Sequence, residues 1–148
     1  MLSKNFPFKQ ISPLDMPRPM LPIVIKNMNT GDSIFAWGLI DTGADSCAIP
    51  AKYAKILGHR LKAGAKINIG TGNGSTCAYA HLTEIDILSV DNHGHIDVTP
   101  DKLFSIPQTK IHYMPRLDTI LLGVNDFLSN FILIIDYPAK SFSLTHKK

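Results

Sequence analysis

One short acidic turn has the residue types that catalysis by carboxylates requires. Asp41 ends an apolar stretch, residues 36–40, and is followed by Thr42 and Gly43. Hydrolysis by carboxylates needs one group to activate water and another to protonate the leaving atom. Two aspartates held side by side can fill both roles, because they cannot both ionise and therefore share one proton. Asp41 is thus the predicted catalytic residue, and it needs a second carboxylate.

The neighbours of Asp41 suit this role. Gly43 permits a tight turn and lets the backbone approach a substrate closely. The hydroxyl of Thr42 can brace the turn, and Ala44 is small enough to leave room for a peptide. Because Asp, Thr and Gly are also common in ordinary β-turns, these three residues alone do not define a catalytic site.

The elements that would position this turn are short and mostly β. Five of the ten prolines lie in the first 22 residues, which predicts an extended arm over residues 1–20, lying against the body or a partner, before a domain over residues 21–148. Turn signals predict a hairpin turn at 27–32, and two short helices are expected at 51–57 and 124–131, the second with Asn125 as a cap. Alternation of apolar and polar residues predicts strands at 21–25, 33–40, 48–50, 66–69, 75–81, 82–90, 111–114, 118–123, 132–137 and 141–144.

Two segments carry a resemblance to a known family. Residues 39–46, Leu-Ile-Asp-Thr-Gly-Ala-Asp-Ser, resemble the active-site segment of the retropepsins, the retroviral-type aspartic proteases with cellular and bacterial relatives. Residues 120–128, Ile-Leu-Leu-Gly-Val-Asn-Asp-Phe-Leu, resemble the late apolar strand, glycine and short helix that pack beneath the catalytic turn in that family. The glycine-rich hairpin at 66–81 stands where retropepsins place the flap. The resemblance spans about residues 21–144 in order, although only the two motifs are specific.

The resemblance implies a single-domain, mainly β protein with a closed barrel, the acid protease fold, and one or two short helices. It implies an aspartic endopeptidase that uses water activated by two copies of Asp41 and needs no cofactor or metal. Only one Asp-Thr-Gly occurs in 148 residues, so the two copies must come from a homodimer. The family's pattern assigns Thr42 and Gly43 to active-site support, and a peptide or protein substrate to Ala44, Asp45, Ile49, Ile69, Gly70, Gly72 and Gly74.

The sequence departs from the viral pattern at Val124. Many retroviral members have an arginine there, which pairs with the acid corresponding to Asp45 and supports the dimer. The sequence is therefore identified as a non-viral, cellular or bacterial member in which Asp45 is satisfied otherwise and the dimer geometry stays open. A catalytically weak or inactive dimerisation or peptide-binding module of the same fold is the alternative function.

Other residue groups suggest chemistry less strongly. The glycines of residues 70–74 follow a G-x-G-x-G spacing, which is not the dinucleotide fingerprint, so a flap tip or plain loop is expected. His93, His95 and Asp91 could bind a metal, although such a polar loop is more often a solvated turn. Cys47 and Cys77 are expected to be small buried thiols; one disulfide, or a catalytic Cys47, is the weaker interpretation.

Composition narrows the remaining classes. The net charge of +3 is small and scattered, which argues against nucleic acid or an anionic membrane as the partner. No stretch approaches the eighteen or more apolar residues of a membrane span, and the first residues lack the apolar core of a secretory signal. A cytoplasmic location is the resulting expectation.

Overall fold

The computed structural model describes residues 2–97 and 99–146, and this part of the chain is built mainly from β-strands. Within it, no helix has the length and apolar character that a membrane span requires. The one α-helix, α1, spans Lys52–Ile56, and short 3₁₀ helices span Leu61–Ala63 and Leu128–Asn130. The strands are β1 Leu2–Pro7, β2 Met20–Lys26, β3 Ser33–Ile40, β4 Ala48–Pro50, β5 Ala65–Thr71, β6 Gly74–Leu88, β7 Lys102–Met114, β8 Ile120–Leu122, β9 Phe131–Asp136 and β10 Ser141–His146.

Six strands close into a barrel in the order β2, β3, β8, β4, β7 and β6, and β6 pairs back with β2. The β3–β8 and β4–β7 pairs are parallel, whereas the other neighbours are antiparallel. Closure removes the free edges that an open sheet would present. β5 pairs with β6 outside the closed ring, so the β5–β6 hairpin extends from the barrel. The predicted fold class, a mainly β closed barrel with few short helices, is confirmed.

The two ends of the chain form a separate three-stranded antiparallel sheet in the order β1, β10, β9. The Phe6 ring stacks on Phe142 with centroids 5.4 Å apart, and both side chains are buried. β1 is therefore an edge strand that lies against the body, as expected for part of a proline-rich arm. The predicted boundary between arm and domain at residue 20 stays a prediction.

The barrel interior is filled by the alternating apolar side chains of its strands. Ile23 and Ile25 of β2 and Ile85 of β6 are fully buried. Burial of each such side chain contributes roughly 1.5–3 kcal/mol to folding. The buried hydroxyls of Thr83 and Tyr113 hydrogen-bond to each other at 2.8 Å, so neither leaves an unpaired polar group in the core.

Most predicted elements are present, but their lengths differ where the sequence pattern is weak. The hairpin turn at 27–32 is confirmed, with the Asn27 amide donating to the Asp32 carbonyl at 2.9 Å. The strands predicted at 75–81 and 82–90 are one continuous strand, β6, and the strand predicted at 111–114 begins at Lys102 as β7. Long pairing between β6 and β7 carries both strands across residues whose own alternation is poor.

The helix predicted at 124–131 is wrong. Only Leu128–Asn130 forms a 3₁₀ helix, and its N-cap is Phe127 without a side-chain cap bond, so Asn125 is not the cap. The amides of Val124 and Asn125 instead donate to carbonyls of another segment. The amides of Leu128 and Ser129 then donate to carbonyls five residues back, and not to those four residues back as in an α-helix.

Candidate active site

Asp41 lies immediately after β3 and is held by backbone and side-chain bonds. Its amide donates to the Leu122 carbonyl of β8 at 3.1 Å, which ties the turn to the neighbouring strand. The Gly43 amide donates to Asp41 Oδ1 at 3.0 Å, and the Ala44 amide donates to the Asp41 carbonyl at 3.2 Å. The carboxylate therefore closes its own turn, as aspartates in such turns do. Asp41 is half-buried, with Thr42 and Gly43 exposed beside it.

The chain after this turn is hydrogen-bonded to the segment that follows β8. The Val124 amide donates to the Ala44 carbonyl at 2.9 Å, and the Asn125 amide donates to the Asp45 carbonyl at 2.7 Å. The exposed Asp45 carboxylate makes no hydrogen bond or ion pair with the described residues. Main-chain bonds thus hold the loop, and the carboxylate of Asp45 is exposed to solvent.

A carboxylate supplies the last bond of this connection. Asp126 accepts the Cys47 amide through Oδ1 at 2.8 Å and through Oδ2 at 3.1 Å. Burial, and then the negative charge of Asp126, raise the pKa of the Cys47 thiol far above its ordinary value. A nucleophilic cysteine needs a lowered pKa, so the interpretation of Cys47 as a catalytic thiol is disfavoured. Cys47 and Cys77 are both free thiols, the first buried and the second half-buried, so the expected pair of thiols is confirmed for Cys47 and only partly for Cys77.

Gly123 allows the two segments to approach this closely. A Cβ atom at Gly123 would fall inside contact distance of the Ser46 carbonyl and 2.9 Å from the Ala44 carbonyl oxygen. Only a residue without a side chain fits at this position. The glycine of the second sequence motif therefore has a packing role directly beneath the Asp41 loop.

A cleft of about 650 Å³ opens beside the Asp41 turn, and it brings together much of the predicted site. Its walls come from the loop after β3, from β4, β5, β7 and β8. The cleft is lined by Asp41, Gly43, Ala44, Asp45, Ser46, Cys47, Ala48, Asn68, Ile69, Gly70, His112, Met114 and Leu121. Six of the ten predicted site residues, Asp41, Gly43, Ala44, Asp45, Ile69 and Gly70, are in this set. Their roles stay predictions.

Four predicted site residues lie outside this lining. Ile49 is fully buried in the hydrophobic core and points away from the cleft, so its prediction as a pocket wall is corrected. Its cross-strand partner is the buried Tyr113, which shows that this face of β4 looks into the barrel. Gly72 and Gly74 are exposed at the tip of the β5–β6 hairpin, and Thr42 is exposed beside Asp41.

Several lining residues were not predicted from the sequence. His112 and Met114 alternate along β7, and Leu121 is the middle residue of β8. The alternation within residues 111–114 could have indicated that His112 and Met114 face the side of the strand opposite to their buried neighbours. Which of the two faces borders the cleft depends on pairing with β4, more than sixty residues away in the sequence.

The alternative sites suggested by the sequence lack the required geometry. Residues 70–74 join two antiparallel strands and do not lead from a strand into a helix, as a dinucleotide fingerprint would. In the described part of the chain, no three His, Cys, Asp or Glu side chains are grouped to hold a metal ion. Asp91 instead accepts the amides of His93 and His95 at 2.8 and 2.9 Å, which is the bonding of a tight turn.

A second cavity, of about 240 Å³, lies away from Asp41 between the N-terminal sheet and the turn at 91–95. Its walls include Phe8, Trp37 and His95, and the Lys9 ammonium lies 4.9 Å from the centre of the Trp37 ring. None of the predicted site residues borders it. Of these two cavities, only the larger cleft is lined by the carboxylate of Asp41.

No protein-family model and no curated protein sequence matches this chain. A solved structure does: the crystal structure of a retropepsin-like aspartic protease from Rickettsia conorii, with a TM-score of 0.61 over 97% of this chain and 99% of that chain. The fold is retropepsin-like. At 18% identity the likeness concerns the fold alone, and the chemistry of this chain rests on its own residues.

Proposed function

We propose that the protein is an aspartic endopeptidase whose active site is completed by a second copy of the chain. The observation that carries this proposal is the position of Asp41. It lies on a turn held by hydrogen bonds, and it lines a large cleft in a retropepsin-like fold. One chain supplies one such carboxylate. A two-fold axis beside the turn places a second Asp41 next to the first and extends the cleft across both subunits.

The two carboxylates divide the chemistry between them. Held side by side, they share one proton, because a second ionisation next to the first is strongly disfavoured. The ionised Asp41 takes a proton from a bound water, which attacks the scissile carbonyl, while the protonated Asp41 donates a hydrogen bond to the carbonyl oxygen. The proton taken from water then passes to the leaving nitrogen. No covalent intermediate forms.

Substrate binding is assigned to the cleft and the projecting hairpin. The main chain of Gly43 and the residues Ala44 and Asp45 contact the substrate backbone on each side of the dyad. Ile69 and Gly70 on β5 already border the cleft, and the exposed tip at Gly72 and Gly74 gives the hairpin room to close. Closure over a bound peptide excludes water and strengthens the electrostatic interactions inside.

A single substitution tests both catalysis and the shared site. Asp41→Asn retains the size of the side chain but cannot supply a general base, so cleavage of a peptide library between pH 3 and 7 should be abolished while the fold is kept. Asp118→Asn is the matched control, because Asp118 is exposed and makes no hydrogen bond or ion pair with the described residues. It should cleave at the wild-type rate with an unchanged circular dichroism spectrum.

Mixing the two proteins tests the dimer. If each site needs two Asp41 residues, a tenfold excess of Asp41→Asn chains leaves only about one wild-type chain in eleven with a wild-type partner, assuming random pairing. The rate per wild-type chain should then fall about tenfold, and the same excess of albumin should leave it unchanged. An undiminished rate would contradict the shared dyad. A wild-type protein that binds peptides but cuts none would favour the peptide-binding module.

A further inference from the structure

His112 occupies a defined place on the cleft face of β7. Its partner in the parallel β4 strand is Ala48, and its partner in the antiparallel β6 strand is Ala80. Residues directly opposite each other across strands project to the same face, so the imidazole has an alanine on either side. The imidazole therefore stands above its neighbours in the cleft, with space beside it for a side chain of a bound peptide.

The His112 side chain makes no hydrogen bond, ion pair or ring contact with the described residues. The side chain is half-buried, and its ring nitrogens are not among the unsatisfied buried polar atoms of the described residues. The other histidine near this region, His81, belongs to the opposite face of the sheet, where its Nε2 lies 2.8 Å from the Leu61 carbonyl. His112 thus has free hydrogen-bonding capacity directed into the cleft.

His112 is also the only residue with a positively chargeable side chain among those that line the cleft in the described chain. The ionisable groups sharing the cleft are Asp41 and Asp45, both on the loop after β3, together with the buried Cys47 thiol. β4 and β8 carry no ionisable side chain. On the strands beside it, Lys110 shares its face of β7, whereas Tyr79, His81 and Lys66 alternate to the other face.

We propose that His112 forms a substrate subsite that selects an acidic side chain, glutamate or aspartate, and this inference rests on the proposed endopeptidase function. A protonated imidazole donates a charge-assisted hydrogen bond to a carboxylate, and in a half-buried cleft that bond is stronger than on an open surface. Lys110 on the same face adds to the positive potential. The Asp45 carboxylate disfavours an acidic residue elsewhere on the loop side, which restricts the preference to the substrate position that faces His112 in each half of the shared cleft.

A glutamate side chain is ionised above about pH 4.3, so at pH 5.5 a glutamate peptide offers His112 a carboxylate and a glutamine peptide does not. A hydrogen bond between two charged groups corresponds to a preference of roughly tenfold or more.

The test separates binding from cleavage by using Asp41→Asn protein as well as the active chain. Peptide pairs that differ only by Glu or Gln at one position, scanned along eight residues, are compared at pH 5.5 by calorimetric binding to Asp41→Asn and by kcat/KM with the active protein. His112→Leu should abolish the preference for glutamate in both measurements. His112→Lys should keep it, because a lysine ammonium also donates a charge-assisted hydrogen bond to a carboxylate. His93→Leu, an exposed histidine outside the cleft, should leave it intact.

The outcomes distinguish the subsite from the catalytic proposal. A glutamate preference that depends on His112 supports the subsite even if the active protein cleaves nothing. Cleavage without any position that prefers glutamate at pH 5.5 overturns the subsite and leaves the endopeptidase intact. A preference that persists in His112→Leu, or binding of neither peptide of any pair, also overturns it.

Discussion

Replacing Asp126 with alanine should loosen the loop that follows Asp41. The change removes both acceptors of the Cys47 amide, at 2.8 and 3.1 Å. A hydrogen bond to a charged group contributes roughly 1.5–3 kcal/mol. Because Asp126 is only half-buried, water can replace part of this bond, so we expect the free energy of unfolding to fall by about 1–2 kcal/mol. For a domain of this size that loss lowers Tm by about 3–8 °C.

Urea unfolding followed by the fluorescence of Trp37, the single tryptophan, measures this loss directly. The midpoint should move to lower urea while the m-value stays constant, since the surface exposed on unfolding is unchanged. Asp126→Asn keeps one oxygen acceptor without the charge, and it should lose about half as much. Its partial retention would separate the hydrogen bond from the volume of the side chain.

Asp118→Ala is the matched control, because it also removes an aspartate but breaks no hydrogen bond to the described residues. A surface substitution of this kind stays within about 0.5 kcal/mol of the wild type. If Asp126→Ala and Asp118→Ala unfold at the same urea concentration, the bond to Cys47 contributes nothing measurable, and the argument that Asp126 fastens the loop is refuted.

Two further substitutions probe packing and charge. Gly123→Ala places a Cβ atom against the main chain of the preceding loop and should cost about 1–3 kcal/mol in urea unfolding, whereas Gly72→Ala, with open space around it, should cost less than about 0.5 kcal/mol. Equal costs would show that the close approach is absent in solution. Burial, and then the neighbouring His81, lower the pKa of His59, so the folded state resists protonation of this ring. The unfolded chain takes up that proton below about pH 6.5, and stability should therefore fall as the pH drops from 7.5 to 5.5. His59→Gln should reduce that fall; an identical fall in both proteins would contradict the assignment.

The turn at Asp41 was predictable because it is formed by residues that are neighbours in the sequence. Asp41 follows an apolar strand and precedes a glycine, and the structure has the strand β3 ending at Ile40 with the carboxylate closing its own turn. Such turns are encoded by neighbouring residues, so a single segment suffices to predict them. The same holds for the β9–β10 hairpin, where Asp136 Oδ1 accepts the Ala139 amide at 2.9 Å.

The helix predicted at 124–131 failed for the opposite reason. Its residues bond across the fold, through the amides of Val124 and Asn125 and the carboxylate of Asp126, to a segment about eighty positions earlier. Local propensity cannot report partners at that distance. The start of β7 at Lys102 was missed similarly, because long pairing with β6 sustains a strand that lacks clear alternation.

The sequence by itself determined the candidate chemistry: an aspartate turn, a second glycine motif and a glycine-rich hairpin between them. Residue type and spacing along a few neighbouring positions carry that information. Only the tertiary structure decided that Ile49 faces the core and His112 faces the cleft, because a strand's two faces are distinguished by its pairing partners. It also decided that Asp126 holds the loop, since that bond joins residues brought together only when the barrel closes.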